Sequence, residues 1–257
     1  MSSSLPPAPR VVPRRGTGEG VRIAIVDSGV HATHPHVGGI AGGLSIAPDG
    51  RLSTGFVDRL GHGTAVAAVI HEKAPRAALH AVRIFETALT TTVTALAAAI
   101  EWAVGARMHI LNLSLGTAVA RHEDALREAV TVATRAGLLI VAARDDGDTR
   151  WLPGSLEGVV SVRADATCPR RTIHVVREAA GVVCYASPFP RPIPGVPPAR
   201  NLNGISFAVA NVSGVLASAL DCPAGPLTLA HAIATLEAVT ALSSVSFEPA
   251  ACRHSQS

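Results

Sequence analysis

Short apolar runs recur along the chain at residues 21–26, 79–85, 109–113, 138–142 and 159–162. Near-continuous apolar character over so few residues marks a strand buried on both faces, as in a parallel sheet. Longer helical patterns lie between them, at 64–72, 91–105 and 121–136. The third carries Glu123, Asp124 and Glu128 early and Arg135 late, which suits the helix dipole. Two more helices are predicted over 206–220 and 227–242. Strand–helix alternation of this kind predicts an α/β fold, a doubly wound and mostly parallel sheet flanked by helices. In such sheets function gathers at the carboxyl ends of the strands.

The segment 167–203 breaks the rhythm. It holds Pro169, Pro188, Pro190, Pro192, Pro194, Pro197 and Pro198. Proline at that density disfavours helix and central strand, so a surface excursion is expected there. Residues 1–20, rich in Pro, Ser, Gly and Arg, predict a flexible or draped arm. Residues 21–245 then form one domain, and the polar 246–257 a fraying tail.

Composition narrows the function. Of 257 residues 48% are hydrophobic and 16% charged, which rules out a wholly disordered chain. No apolar run reaches the ~18 to 20 residues of a membrane span. The N-terminus lacks the apolar core of a secretory signal, so a cytoplasmic location with reduced thiols is expected. Cys168, Cys184, Cys222 and Cys252 show neither CxxC spacing nor a zinc pattern and are expected to be free; Cys222 and Cys252 flank a predicted helix and could still meet. A net charge of +3 with 3% aromatics argues against nucleic acid. Arg163, Arg170, Arg171 and Arg177 read as a solvated face. No cofactor and no metal are expected: Asp49, Asp58 and Glu72 are too dispersed for a carboxylate cage.

Three residues carry candidate chemistry. Asp27 ends the first apolar run in IVDSGV, where a carboxylate is ordinarily a turn former. His62 stands between two glycines in GHGTAVA at the start of a helix, and Ser206 at the mouth of another, where serine is ordinarily an N-cap. Together they make a nucleophile, a base to deprotonate it and a carboxylate to orient the base. Their chain order, Asp then His then Ser, is the subtilisin order.

The words around these residues resemble the subtilase family of serine proteases. IVDSGVHATHP resembles the family's Asp motif, GHGTAVA its His motif with Ala65 in place of a second His, and Gly204-Ile205-Ser206-Phe207-Ala208 its Ser motif. Asn112-Leu113-Ser114-Leu115-Gly116 resembles the segment whose backbone pairs with bound peptide. The resemblance implies a subtilisin-like fold, a peptide or protein substrate, and Asp27, His62 and Ser206 as orienter, general base and nucleophile. It further implies that Ser114, Leu115, Gly116, Ala143 and Asp145 border the pocket for the residue before the cut. Asp145 or Arg144 there predicts a preference for a small or basic residue.

The departures from the family pattern are specific. The family's oxyanion Asn falls at Asp146, and Ile205 replaces the usual Thr, so the oxyanion region rests on the Ser206 N–H with Asn201 or Asn203 as substitutes. An ionised Asp146 would repel the developing charge. About 20 residues precede the first strand, and the family's calcium loop between Thr64 and Leu79 is missing, which together predict a compact intracellular form without a pro-domain. The expected activity is an endopeptidase working through an acyl-enzyme, with a dedicated peptide or precursor as substrate. The alternatives are an impaired peptide-binding pseudoprotease and a transpeptidase or macrocyclase. Oligomeric state is not encoded in any pattern found.

Overall fold

A computed structural model describes residues 16–245, except residues 147, 180, 198, 199, 222 and 224 and the side chains of Asp146 and residues 242–245. The chain opens with β1 (Arg22–Asp27), β2 (Gly42–Ile46) and the short β3 (Leu52–Ser53). Helix α1 (His62–Lys73) leads to β4 (Ala78–Arg83), and α2 (Val93–Gly105) to β5 (Ile110–Leu113). After a 3-10 turn at Ala120–His122, α3 (Glu123–Arg135) leads to β6 (Leu139–Ala143). A ribbon of β7 (Asp145–Asp146) and β8 (Thr149–Arg150) precedes β9 (Val159–Ala164). Then come β10 (Ile173–Glu178), β11 (Gly181–Ala186), α4 (Ile205–Leu220) and α5 (Leu229–Val245).

Among the described residues one sheet has the order β10-β11-β9-β6-β5-β1-β4-β2-β3. Its inner strands pair in parallel, and only the two edge pairs, β10 with β11 and β2 with β3, are antiparallel. The apolar runs read as strands are five of its inner strands. Strand β1 shows why their sequence is nearly unbroken. Ile23 and Ile25 enter a core with Val66, Val69, Phe207 and Leu236 of α1, α4 and α5. Ala24 and Val26, on the other face, pack with Leu96, Ile100, Leu126 and Val130 of α2 and α3. With helices on both faces no position faces water, so the period-two alternation of a half-exposed strand disappears. Helix α4 is buried almost all round; Asn211 Nδ2 donates to the Ser187 carbonyl at 2.8 Å and Ser213 Oγ to Asn112 Oδ1 at 3.0 Å, while Asn211 Oδ1 is buried without a partner among the described residues. No helix among the described residues is long and apolar enough to cross a membrane.

Two expectations are corrected. The excursion 167–203 is not all irregular, because β10 and β11 form an antiparallel hairpin on the sheet edge. Its prolines stop at Pro169 and resume at Pro188, leaving IHVVRE and GVVCYA free to donate to the ladder. Nor are the arginines a plain solvated face. Arg163 pairs with Asp145 and, at 2.6 Å, with Glu178; Arg170 pairs with Glu72 at 2.5 Å and Arg177 with Glu237 at 2.7 Å. The Arg170 tie joins segments 98 residues apart in the chain.

Cys168 and Cys184 are buried free thiols, and burial pushes the Cys184 thiol up to about 12. Cys222 and Cys252 lie outside the described residues. At the start of the domain, the backbone N–H groups of Thr17 and Glu19 both donate to Asp221 Oδ1, at 3.2 and 2.7 Å. Residues 1–15 and 246–257 also lie outside the described residues.

Candidate active site

Asp27 stands at the carboxyl end of β1, with no exposed surface. His62 opens α1, and its Nδ1 lies 2.8 and 2.9 Å from the two Asp27 carboxylate oxygens. Since a carboxylate only accepts, Nδ1 carries the proton and Nε2 presents its lone pair outward. Burial draws the His62 pKa down, but the hydrogen bond and charge of Asp27, helped by Asp58, outweigh it and hold the imidazole above its ordinary 6.5. The ring also packs against Phe207 of α4, centroid to centroid 5.5 Å.

Backbone geometry makes this contact possible. Gly61 precedes the helix at φ 82°, a left-handed conformation that favours glycine. A Cβ on Gly63 would stand 2.1 Å from the Gly29 carbonyl, so only glycine lets α1 come this close to the turn after β1. The helix lacks a side-chain cap at Gly61, and Asp58 supplies one from three residues upstream. Asp58 Oδ1 accepts from Ser28 Oγ and from the N–H groups of Leu60 and Gly61, at 2.8 to 2.9 Å. Its Oδ2 accepts from Thr64 N at 2.9 Å and Thr64 Oγ1 at 2.6 Å. Ser28 Oγ in turn accepts from Gly63 N at 2.9 Å. Burial works to raise the Asp58 pKa, yet the donors from Thr64, Leu60 and Ser28 win and the carboxyl is held below its ordinary 3.8. The negative group at the positive end of α1 suits the dipole as well. In sequence Asp58 reads as an ordinary turn carboxylate, and its role as a cap depends on the fold bringing Ser28 and Thr64 onto it.

Ser206 lies in the first turn of α4 and shares a cleft of about 210 Å³ with His62. Its hydroxyl donates to the Ser114 carbonyl at 3.1 Å. A relay fixes that carbonyl's loop: Ser213 Oγ donates to Asn112 Oδ1, and Asn112 Nδ2 donates to Ser114 Oγ at 2.8 Å. Ser114, Leu115, Gly116 and Ala143 line the cleft as expected from sequence. So do Phe85, Leu89, Trp151, Ile205 and Val209, which the sequence reading had not singled out for the cleft.

Other expected residues stand elsewhere. Asp145 does not line the cleft: its carboxylate pairs with Arg163, with Oδ2 2.8 Å from Nη2, and the Arg144 Nε lies 3.6 Å from it. Mutual neutralisation holds both charges away from the pocket, so the basis for a basic preference is withdrawn. Asn203 is exposed and off the cleft, while the Asn201 amide is used by the Arg191 carbonyl at 3.1 Å. The Asp146 side chain lies outside the described residues; its backbone pairs with Thr149 in the β7–β8 ribbon.

Trp151 was missed because its contact is made through space. Leu152 and Thr117 exchange backbone hydrogen bonds at 2.9 Å, which lays Trp151 against Gly116. A Cβ on Gly116 would meet the Trp151 Cβ at 3.3 Å. Among the described residues no group of three or more His, Cys, Asp or Glu could hold a metal ion.

A parallel α/β sheet with a carboxylate-bound histidine and a serine in one cleft defines a hydrolase-like class of site. Comparison gives the family: the sequence model of the subtilase family matches residues 18–179, and this chain belongs to that family of serine proteases. It is 34% identical over 222 residues to M-protease of Shouchella clausii (strain KSM-K16), covering 82% of this chain and 56% of that protein. It is 33% identical over 222 residues to Subtilisin Savinase of Lederbergia lenta, covering 82% of this chain and 80% of that one. The chain thus spans little more than half the length of M-protease. A crystal structure of a cold adapted subtilisin-like serine proteinase shares the fold, with TM-score 0.65, 20% identity, and 89% of this chain and 85% of that one covered.

Proposed function

We propose that this protein is a serine endopeptidase in which Ser206 attacks the peptide carbonyl, His62 takes its proton and returns it to the leaving amine, and Asp27 holds the imidazole. The observation that carries the reading is the histidine ring clamped by both oxygens of a fully buried carboxylate, in one cleft with a serine at a helix start. The mechanism needs the Ser206 hydroxyl to turn from the Ser114 carbonyl toward His62 Nε2. The Ser206 N–H, in the unsatisfied first turn of α4, faces the developing oxyanion. A fluorophosphonate probe tests the reading: it labels the wild type and leaves Ser206→Ala unlabelled. A folded wild type that refuses the probe would instead favour a peptide-binding module, the reading supported by the Ser114-directed hydroxyl.

Base catalysis needs neutral His62, and Asp27 raises the pKa of that residue. With an uncharged peptide, kcat/KM is therefore expected to rise with pH through a midpoint above the ordinary 6.5. Weakening the Asp27 contact lowers that midpoint, and a wild-type midpoint below 6.5 would contradict the assignment.

The substrate residue before the cut fills the small cleft floored by Trp151 beside Gly116. Lined by Leu115, Trp151, Ile205 and Val209, this space suits an uncharged apolar side chain, with Trp151 limiting its size. Trp151→Ala is expected to shift a peptide-library profile toward large apolar residues by about tenfold or more, the scale set by a few methylenes in an apolar pocket. An unchanged profile would remove Trp151 from the pocket.

A further inference from the structure

A second cavity, about 470 Å³, is lined by chain neighbours of His62 and Ser206. Gly61 and Thr64, on either side of His62, form part of one wall, and Asn201 and Leu202, just ahead of Ser206, part of another. The catalytic pair lines the first cavity, and chain neighbours of both residues line the second. That makes the second cavity the candidate site for the leaving half of a peptide whose acyl half runs along Ser114–Gly116.

The charge in this cavity is unbalanced. Its one lining carboxylate, Asp58, already accepts five hydrogen bonds and has no capacity for a further cation. The half-buried Arg191 lines it too, and among the described residues its guanidinium makes no ion pair and no side-chain hydrogen bond. The Arg191 main chain is nonetheless held in place, since its carbonyl accepts from Asn201 Nδ2 at 3.1 Å. His34 and His36 stand edge to face at 5.2 Å on the same lining and add N–H donors without adding a counter-charge. Burial, and secondly the Arg191 charge, lower the pKa of His36 and of the nearby His71.

We infer that this cavity is a carboxylate-binding subsite for the leaving half of the substrate, with Arg191 as its charged donor. The inference rests on the peptidase reading and adds the class of substrate: a peptide with a carboxylate a few residues beyond the scissile bond. An arginine that has no partner gains a charge-assisted, two-pronged hydrogen bond when such a group arrives.

The test uses peptides with one acyl half and leaving halves that differ only by Glu or Gln at the second and third positions, each with a free or amidated C-terminus. Cleavage is measured for wild type and Arg191→Gln, and binding to the Ser206→Ala protein by fluorescence anisotropy. The Glu peptides are expected to be favoured about tenfold in kcat/KM, the scale of one hydrogen bond to a charged group. The preference falls to near unity in Arg191→Gln and is largely kept in Arg191→Lys. A benefit confined to the free terminus of the shortest peptides assigns the carboxylate to the chain end; a benefit from Glu in amidated peptides assigns it to a side chain. Equal cleavage and equal binding of Glu and Gln peptides with no difference between free and amidated termini, or an equal loss on all peptides in Arg191→Gln, overturns the inference. Absence of cleavage and of probe labelling sinks the peptidase reading alone, because the anisotropy comparison still reads the subsite.

Discussion

Ser206→Ala and His62→Ala are each expected to lower kcat/KM for peptide hydrolysis by about 10⁴-fold or more, and the double variant to be no worse than either alone. Once the hydroxyl is gone the base has no proton to take, and once the base is gone the hydroxyl stays protonated. The two act as one device, so their losses do not add. Asp27→Asn removes the acceptor that fixes the His62 tautomer, 2.8 and 2.9 Å from its Nδ1, and is expected to cost about 10⁴-fold. Ser206→Ala and Asp27→Asn leave the apolar packing of the sheet untouched and His62→Ala removes from it only the ring contact with Phe207, so circular dichroism should stay close to the wild type. Losses that multiply in the double variant would show that Ser206 and His62 do not share a reaction step.

Asp58→Ala is expected to cost stability and rate together. The substitution leaves the Ser28 and Thr64 hydroxyls and three backbone N–H groups of Leu60, Gly61 and Thr64 without their shared acceptor. Water can reach some of them, so the expected loss is about 3 kcal/mol rather than the sum over five bonds. For a domain of this size that is a fall in Tm of roughly 10 °C. The turn it anchors carries His62, and displacement of a catalytic group by about 1 Å can cost on the order of 10²-fold in rate. Asp58→Asn keeps an acceptor for Ser28, Leu60 and Gly61 but points an amide N–H₂ at the Thr64 N–H, and should fall between the two. A melting temperature for Asp58→Ala within about 2 °C of wild type would show that the cap is not what holds this turn.

Much of the frame was legible because burial on both faces leaves a plain mark. β1, β4, β5, β6 and β9 read as apolar runs since helices cover them from either side. The edges were not legible. Strand β2 is glycine-rich and partly exposed, and β10 (IHVVRE) mixes polar with apolar residues without a period on the sheet's rim. An edge strand is identified by its neighbour, and the sequence of β10 does not reveal that β11 lies beside it. The site divides in the same way. Asp27 and His62 could be placed from their local motifs, at a strand's end and a helix's beginning. Trp151 and Asp58 could not, because the role of each depends on a partner surface.

From its sequence alone this protein was determined to be an alternating α/β chain with an aspartate, a histidine and a serine at the element ends where such sheets gather function. Those are matters of local order and of periodicity, which short stretches of chain carry in themselves. Only the tertiary structure decided that Asp145 turns to Arg163 instead of the pocket, that Trp151 floors the cleft against Gly116, and that Arg191 faces a cavity with no free carboxylate. Each depends on what a side chain meets across space, and a charge or a ring acquires its role from the neighbour that folding brings to it.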